Sequence, residues 1–277
     1  MKHFEVDMTV DYKAMGCEKP SKAPKLITYI LDQNHLELSC WKSRPAVIIC
    51  PGGAYAHVSP REAEPIALSY NAAGFHAFVL DYSVAPTGWP AACCELSKAV
   101  AYVRSIADEY AIDKEKIVVC GFSAGGNLAA SIAVHYDKEI VKTFSGVTGE
   151  ENKPNGLILA YPVITDEDAK THMGTKNNFI AGNKDAEQYF GMEHHVNENT
   201  PKTFLWHTFS DGAVPVESSM RFASALRANG VPFEMHIFPE GPHGLSLANK
   251  LTATGDETIV PAVQPWMEMS ITWLNNL

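Results

Sequence analysis

At 277 residues the chain falls between one and two domains on a prior of ~150 residues per domain, and one α/β domain with an insertion fits that length. A chain of this size buries roughly three quarters of its unfolded surface on folding, so its core needs no disulfide or metal for stability. Lys+Arg 22 against Asp+Glu 32 gives a net charge of -10, which excludes a basic surface for nucleic acid and disfavours acidic membranes.

The opening stretch, MKHFEVDMTVDYK, places acids where a secretory leader needs an unbroken apolar region, and nowhere do about 18 uncharged apolar residues run together. The expectation is a cytoplasmic protein without a membrane partner. Past residue 24, short apolar runs bounded by turn residues alternate with longer segments of helical period, as in βα units on a parallel sheet. Strands are predicted over Lys25 to Leu31, Ala46 to Cys50, His76 to Tyr82, Lys116 to Cys120, Gly156 to Ala160, Thr203 to His207 and Phe233 to Phe238. Amphipathic helices are predicted between them. One carries Leu96, Ala99, Val100, Val103, Ala107 and Tyr110 at three- and four-residue steps, and a second carries Val216, Met220, Ala223 and Leu226. A third, with Trp266, Met269, Trp273 and Leu277, is predicted last.

The strand AVIIC feeds Pro51-Gly52-Gly53-Ala54-Tyr55. Consecutive glycines let backbone N–H groups face a reacting carbonyl without Cβ obstruction, so Gly53 and Ala54 are predicted oxyanion donors, although a simple β-turn reads the same way. Further on, vicinal Cys93 and Cys94 are expected as one buried and one half-exposed thiol near a helix start. With Cys17, Cys40, Cys50 and Cys120 they make six cysteines without a CxxC pair or metal-ligand spacing. Reduced, mostly buried thiols are expected.

The strand IVVC runs into Gly121-Phe122-Ser123-Ala124-Gly125, a GxSxG match that opens a segment rich in small residues. Alone the pattern is weak; the preceding strand and following small residues make it a nucleophile elbow, where glycines flank a sharp turn in which side chains would collide. Ser123 then sits at a helix N-terminus, and the N–H of Ala124 joins the oxyanion donors.

A serine hydroxyl is a weak nucleophile and needs a base, itself oriented by a carboxylate. The strand TFLWH leads into Asp211, and the strand FEMHIF leads into Pro239-Glu240-Gly241-Pro242-His243-Gly244. The order Ser123, Asp211, His243 predicts nucleophile, acid and base at successive strand ends. Asp211 also reads as a helix cap, and Glu240, Asp166 and Asp168 remain rival carboxylates.

Residues 162 to 202 break the rhythm with Gly, Asn, acids and three histidines. A stretch of about forty residues is too long for an ordinary connection, so short helices forming a cap are predicted. His172, His194 and His195 lack metal-ligand spacing and are read as solvated cap residues, so no metal and no cofactor is expected. Trp89 and Tyr161 are predicted, with the cap, to bound a shallow acyl site.

The blocks CPGGAYAHVSPREAEP, FVLDYSVAP, GFSAGGNLAA, LILAYPVIT, HTFSDGAVPVESS and FPEGPHG span residues 46 to 247. Together they resemble the acetylxylan-esterase-like branch of the α/β hydrolases, relatives of the hormone-sensitive lipases. The resemblance implies an α/β-hydrolase fold with a mostly parallel, eight-stranded central sheet flanked by helices on both faces, carboxylesterase activity, and the roles assigned above to Ser123, Asp211 and His243. The first glycine-rich block reads PGGAY where hormone-sensitive-lipase relatives carry HGGG.

The expectation is therefore a single domain, residues 1 to 277, acting as a serine carboxylesterase on small acyl esters, with acetylated sugars and xylo-oligosaccharides among the substrates considered. A prolyl-oligopeptidase-type peptidase is the first alternative, but it usually carries a propeller for which 277 residues leave no room. A non-catalytic ligand-binding relative is the second, and it has no need of His243. Charged residues at 19%, against ~25% typically, fit either a homo-oligomer interface or a large core.

Overall fold

In a computed structural model that describes residues 1–33 and 41–277, the apolar runs pair into one eight-stranded sheet. Its strands are β1 (Glu5–Asp7), β2 (Lys25–Tyr29), β3 (Arg44–Cys50), β4 (His76–Asp81), β5 (Ile112–Phe122), β6 (Gly156–Ala160), β7 (Lys202–Thr208) and β8 (Phe233–Phe238), in the order β1-β2-β4-β3-β5-β6-β7-β8. β2 pairs antiparallel with both β1 and β4, and β3 to β8 are mutually parallel where they pair. All seven predicted strands are present. The eighth, β1, is a three-residue edge strand, too short to show a period.

Parallel strands covered on both faces read as unbroken apolar runs because alternate side chains enter two different cores. Ala46, Ile48 and Cys50 of β3 point into one core, and Val47 and Ile49 into the other. The first core lies under the helices α2 (Ala91–Ser105), α4 (Ala124–His135) and α7 (Glu217–Ala228). Beneath α1 (Glu64–Ala72) and α8 (Trp266–Asn275) lies the second, with Trp206, Trp266 and Phe122 at its centre.

Three helical expectations change. The stripe from Leu96 to Tyr110 is divided at Ile106 into α2 and the one-turn α3 (Ala107–Tyr110), because the chain must turn through left-handed Ala111 (φ 51) to start β5 alongside β3. Met220 is not on the buried stripe of α7: it is 49% exposed, and Phe222 packs inward beside Ala223 and Leu226. In α8 the fully inward face is Trp266, Ser270 and Leu274, while Met269 and Trp273 are half-buried at its margin.

Cys40 lies outside the described residues. Cys50, Cys93, Cys94 and Cys120 are free and buried, and Cys17 is half-buried. The expected half-exposed member of the Cys93-Cys94 pair is thus corrected: both side chains enter the packed side of α2, and burial pushes the Cys93 thiol up to about 12. Such a thiol stays protonated and unreactive at neutral pH.

Residues 162 to 202 form short helical turns around α6 (Met173–Ile180), as a covering segment requires. Asn178 donates from Nδ2 to the Ala54 carbonyl (2.8 Å), and Lys176, 7% exposed, bridges Asp168 (2.8 Å) and Glu187 (2.9 Å). Among the described residues no helix is long and apolar enough to cross a membrane.

Candidate active site

The β5-to-α4 turn is as sharp as the glycine spacing predicts. Ser123 sits at φ 52, ψ -117 ahead of Ala124, the first residue of α4. A Cβ on Gly121 would lie 2.2 Å from the Gly125 carbonyl oxygen, and one on Gly125 would lie 2.0 Å from the Cys50 carbonyl oxygen. Neither position accepts a side chain without moving backbone. The turn is anchored by Ser123 N–H donating to Ala160 O (3.0 Å) and Val163 N–H donating to Ser123 O (3.1 Å).

Three strand ends then converge on this serine. Ser123 Oγ lies 2.8 Å from His243 Nε2, and His243 Nδ1 lies 2.7 Å from Asp211 Oδ2. The other Asp211 oxygen, Oδ1, accepts the N–H groups of Ala213 and Val214, both at 2.9 Å. His207, fully buried on β7, adds a contact the sequence did not single out: its Nε2 is 3.0 Å from Val214 O and 3.3 Å from Asp211 Oδ2, while Nδ1 faces Ser219 Oγ (2.8 Å). Burial by itself pushes the Asp211 carboxyl up, but hydrogen bonds from His207, His243 and the Val214 N–H, with the electrostatic pull of His243, hold it well below the usual carboxylate range. Asp211 therefore stays ionised and keeps the His243 proton on Nδ1, leaving Nε2 to accept from the serine hydroxyl.

The rival carboxylates are elsewhere. Asp166 pairs with His194 (3.2 Å), Asp168 with Lys176 (2.8 Å), and Glu240 is exposed on the loop before His243.

Above Ser123 lies an open cleft of about 270 Å³, walled by Gly53, Ala54, His57, Arg61, His172 and His243 among others. Gly53 (φ 125) and Ala54 (φ 54) are both left-handed, and a Cβ on Gly53 would lie 2.0 Å from the His57 carbonyl oxygen. Among the described residues no acceptor takes the N–H of Gly53 or Ala54. Tyr55 Oη donates to Asn127 Oδ1 of α4 (3.0 Å), which fastens this loop to the helix that Ser123 begins.

His172 is not a solvated cap residue. It is half-buried in the cleft wall, its Nδ1 accepts from the Thr175 N–H (3.2 Å), and burial followed by the nearby His243 lowers its pKa. Nε2 therefore carries the proton of the neutral ring and is a donor.

Glu62 and Tyr161 form a buried strut beneath the cleft. Gly52 N–H donates to Glu62 Oε2 (2.8 Å), Tyr161 Oη donates to Glu62 Oε1 (2.6 Å), and Ser246 N–H donates to Tyr161 Oη (2.9 Å). The loop of Gly53, the end of β6 and the loop of His243 are thus joined through two side chains. Tyr161, 1% exposed, meets the His243 ring edge-on at 5.0 Å, so it supports the histidine from below instead of bounding an acyl site. Trp89 lies apart from the cleft: it is 5% exposed, stacked between Phe179 (5.3 Å) and Tyr189 (5.0 Å), and borders an enclosed space of about 10 Å³. Tyr161→Phe is expected to cost about 1–3 kcal/mol in urea denaturation, since it orphans the buried Ser246 N–H and one Glu62 oxygen. A loss below 0.5 kcal/mol would show that the strut carries no strain-bearing bonds.

The BD-FAE family model matches residues 36–226, more than half of the chain. The chain belongs to the BD-FAE family. It is 38% identical over 216 residues to endo-1,4-beta-xylanase B of Butyrivibrio fibrisolvens, covering 74% of this chain and 33% of that protein. To an acetylxylan esterase of Xylanibacter ruminicola it is 26% identical over 233 residues, covering 80% and 46%. The chain thus spans between a third and a half of these curated relatives. Among solved structures, an acetyl ester-xyloside bifunctional hydrolase from Caldicellulosiruptor lactoaceticus superposes with TM-score 0.82 at 33% identity, covering 99% of this chain and 96% of that one. The carboxylesterase Cest-2923 from Lactobacillus plantarum gives TM-score 0.84 at 26% identity, covering 100% and 98%. The fold of this BD-FAE member is that of the α/β hydrolases.

Proposed function

We propose that this BD-FAE protein is a serine carboxylesterase that releases short acyl groups, acetyl foremost, from polar alcohols such as sugars. The single observation that carries the reading is the hydrogen-bonded line Ser123–His243–Asp211 at the floor of an open, polar cleft. In the first half-reaction His243 Nε2 takes the Ser123 proton as Oγ attacks the ester carbonyl, and the imidazolium returns that proton to the leaving alcohol. In the second, water attacks the acyl-serine along the same route and the acid departs. Negative charge on the carbonyl oxygen is met by the N–H groups of Gly53, Ala54 and Ala124 at the start of α4. The names of the relatives, an acetylxylan esterase and an acetyl ester-xyloside bifunctional hydrolase, support the acyl group and the polar alcohol.

The walls support the same substrate class. His57, Arg61 and His172 give the cleft a hydrogen-bonding rim for a hydroxylated alcohol. A further CH₂ gains ~0.8 kcal/mol only where an apolar pocket receives it, and the side chains that wall this cleft are mostly polar. Acetyl and butyryl p-nitrophenyl esters are expected to show higher kcat/KM than decanoyl, by about tenfold or more. The checking experiment is a chain-length series run beside acetylated xylo-oligosaccharides. A decanoyl ester turned over faster than acetyl would overturn the short-acyl assignment, and cleavage of prolyl peptides without ester cleavage would favour a peptidase.

A further inference from the structure

The segment that covers the sheet, residues 162 to 202, brings three metal-binding side chains together away from Ser123. Asp166 stands near its start, and Glu193 and His194 near its end. One ligand atom from each lies within 4.8 Å of the others, the one such convergence among the described residues. The His194 Nε2 to Asp166 Oδ1 distance is 3.2 Å and the His194 Nε2 to Glu193 Oε1 distance is 4.0 Å. Donors on bonds of about 2.1 Å around a tetrahedral ion are about 3.4 Å apart, so these separations need only small adjustments to close on one cation.

Glu193 carries a second, independent signal. Its side chain is 7% exposed and neither carboxylate oxygen makes a hydrogen bond, although the Thr165 hydroxyl lies close enough to favour the charged form. A buried carboxylate is normally paired, because burying the charge without a partner costs several kcal/mol. Burial accordingly pushes the Glu193 carboxyl up. A divalent cation supplies what it lacks. His194 and Asp166, exposed at 60% and 42%, leave the ion's remaining positions open to water.

We propose that Asp166, Glu193 and His194 form a site for a divalent cation of the zinc class, one imidazole nitrogen and two carboxylates, which ties the two ends of the covering segment together. The donor set suits Zn²⁺ over Mg²⁺ or Ca²⁺, which favour all-oxygen shells. The backbone already joins the same two stretches, with Met192 N–H donating to Ile164 O (3.2 Å), so the ion closes a loop whose ends are in register. Its role is to hold the segment that carries His172 and Asn178, and it takes no part in acyl transfer.

The test titrates Zn²⁺ into chelator-treated full-length protein at pH 7.5, following binding by calorimetry and stability by thermal melting. One ion per chain with micromolar or tighter Kd is expected, with a rise in Tm of several degrees. Glu193→Gln, isosteric with the native side chain, and His194→Ala should each weaken binding at least tenfold and abolish the rise in Tm. Circular dichroism and p-nitrophenyl acetate turnover within twofold of wild type would show that both variants are folded. No binding by wild type at 100 μM Zn²⁺, or equal binding by wild type and Glu193→Gln, would overturn the proposal. Because the readout is metal binding, this outcome is independent of whether the esterase reading stands.

Discussion

Ser123→Ala is expected to lower p-nitrophenyl acetate hydrolysis on the order of 10⁴- to 10⁶-fold while leaving the melting temperature within a few degrees of wild type. The hydroxyl removed makes one side-chain hydrogen bond, to His243, and contributes no cap to α4, so the turn keeps its backbone anchors at Ala160 and Val163. His243→Ala should cost about as much. The double variant should be hardly slower than either single one, because nucleophile and base act as a unit and the residual rate comes from the oxyanion donors and binding. Steady-state kinetics on the three proteins, with scrupulous control for wild-type carry-over, decide the matter. Wild-type turnover by Ser123→Ala would remove the serine mechanism, and additive losses in the double variant would remove the coupling.

Asp211→Asn should lower kcat by about 10³- to 10⁴-fold with the fold retained. Four N–H donors face the Asp211 carboxylate: those of His243 and His207 at one oxygen, and those of Ala213 and Val214 at the other. An amide offers one accepting oxygen, so its NH₂ must face one of these donor pairs. If it faces the histidines, His243 must accept at Nδ1 and carry its proton on Nε2, the tautomer that cannot receive a proton from Ser123. If it faces the two backbone N–H groups, the turn leading into α7 is pushed apart.

The same substitution has a pH signature in stability. The native Asp211 carboxyl is held below its unfolded value of ~3.9, so the folded state binds its proton less readily than the unfolded state does. That contribution is fully present above pH ~4 and is lost as pH falls below it. The stability gap between wild type and Asp211→Asn, measured by denaturant titration, should therefore be measurably wider at pH 7 than at pH 3. A gap constant across that range would mean that Asp211 is not the paired carboxylate. Loss of activity on Asp166→Asn with Asp211→Asn unaffected would reassign the acid.

The strands, the elbow and the order of the three hydrogen-bonded side chains Ser123, Asp211 and His243 were legible in the sequence because each rests on local chemistry. An unbroken short apolar run specifies a strand buried on both faces wherever it sits. The glycines at 121 and 125 are demanded by backbone oxygens about 2 Å from where their Cβ atoms would be. Asp211 and His243 follow strands that must run parallel, which places them at the same edge of the sheet as Ser123. What the tertiary structure alone decided depends on partners distant in sequence. Glu62 meets Tyr161 across 99 positions, His207 reaches Asp211 only because the turn after β7 folds back, and His172 enters the cleft only because α6 is laid over it. Trp89 reads like a substrate contact in one dimension, yet Phe179 and Tyr189 from the covering segment close over it. Asp166, Glu193 and His194 have no ligand spacing along the chain and meet only when that segment closes on itself. Periodicity reports which face a side chain takes; which neighbour it finds on that face is set by the packing of elements the period does not see.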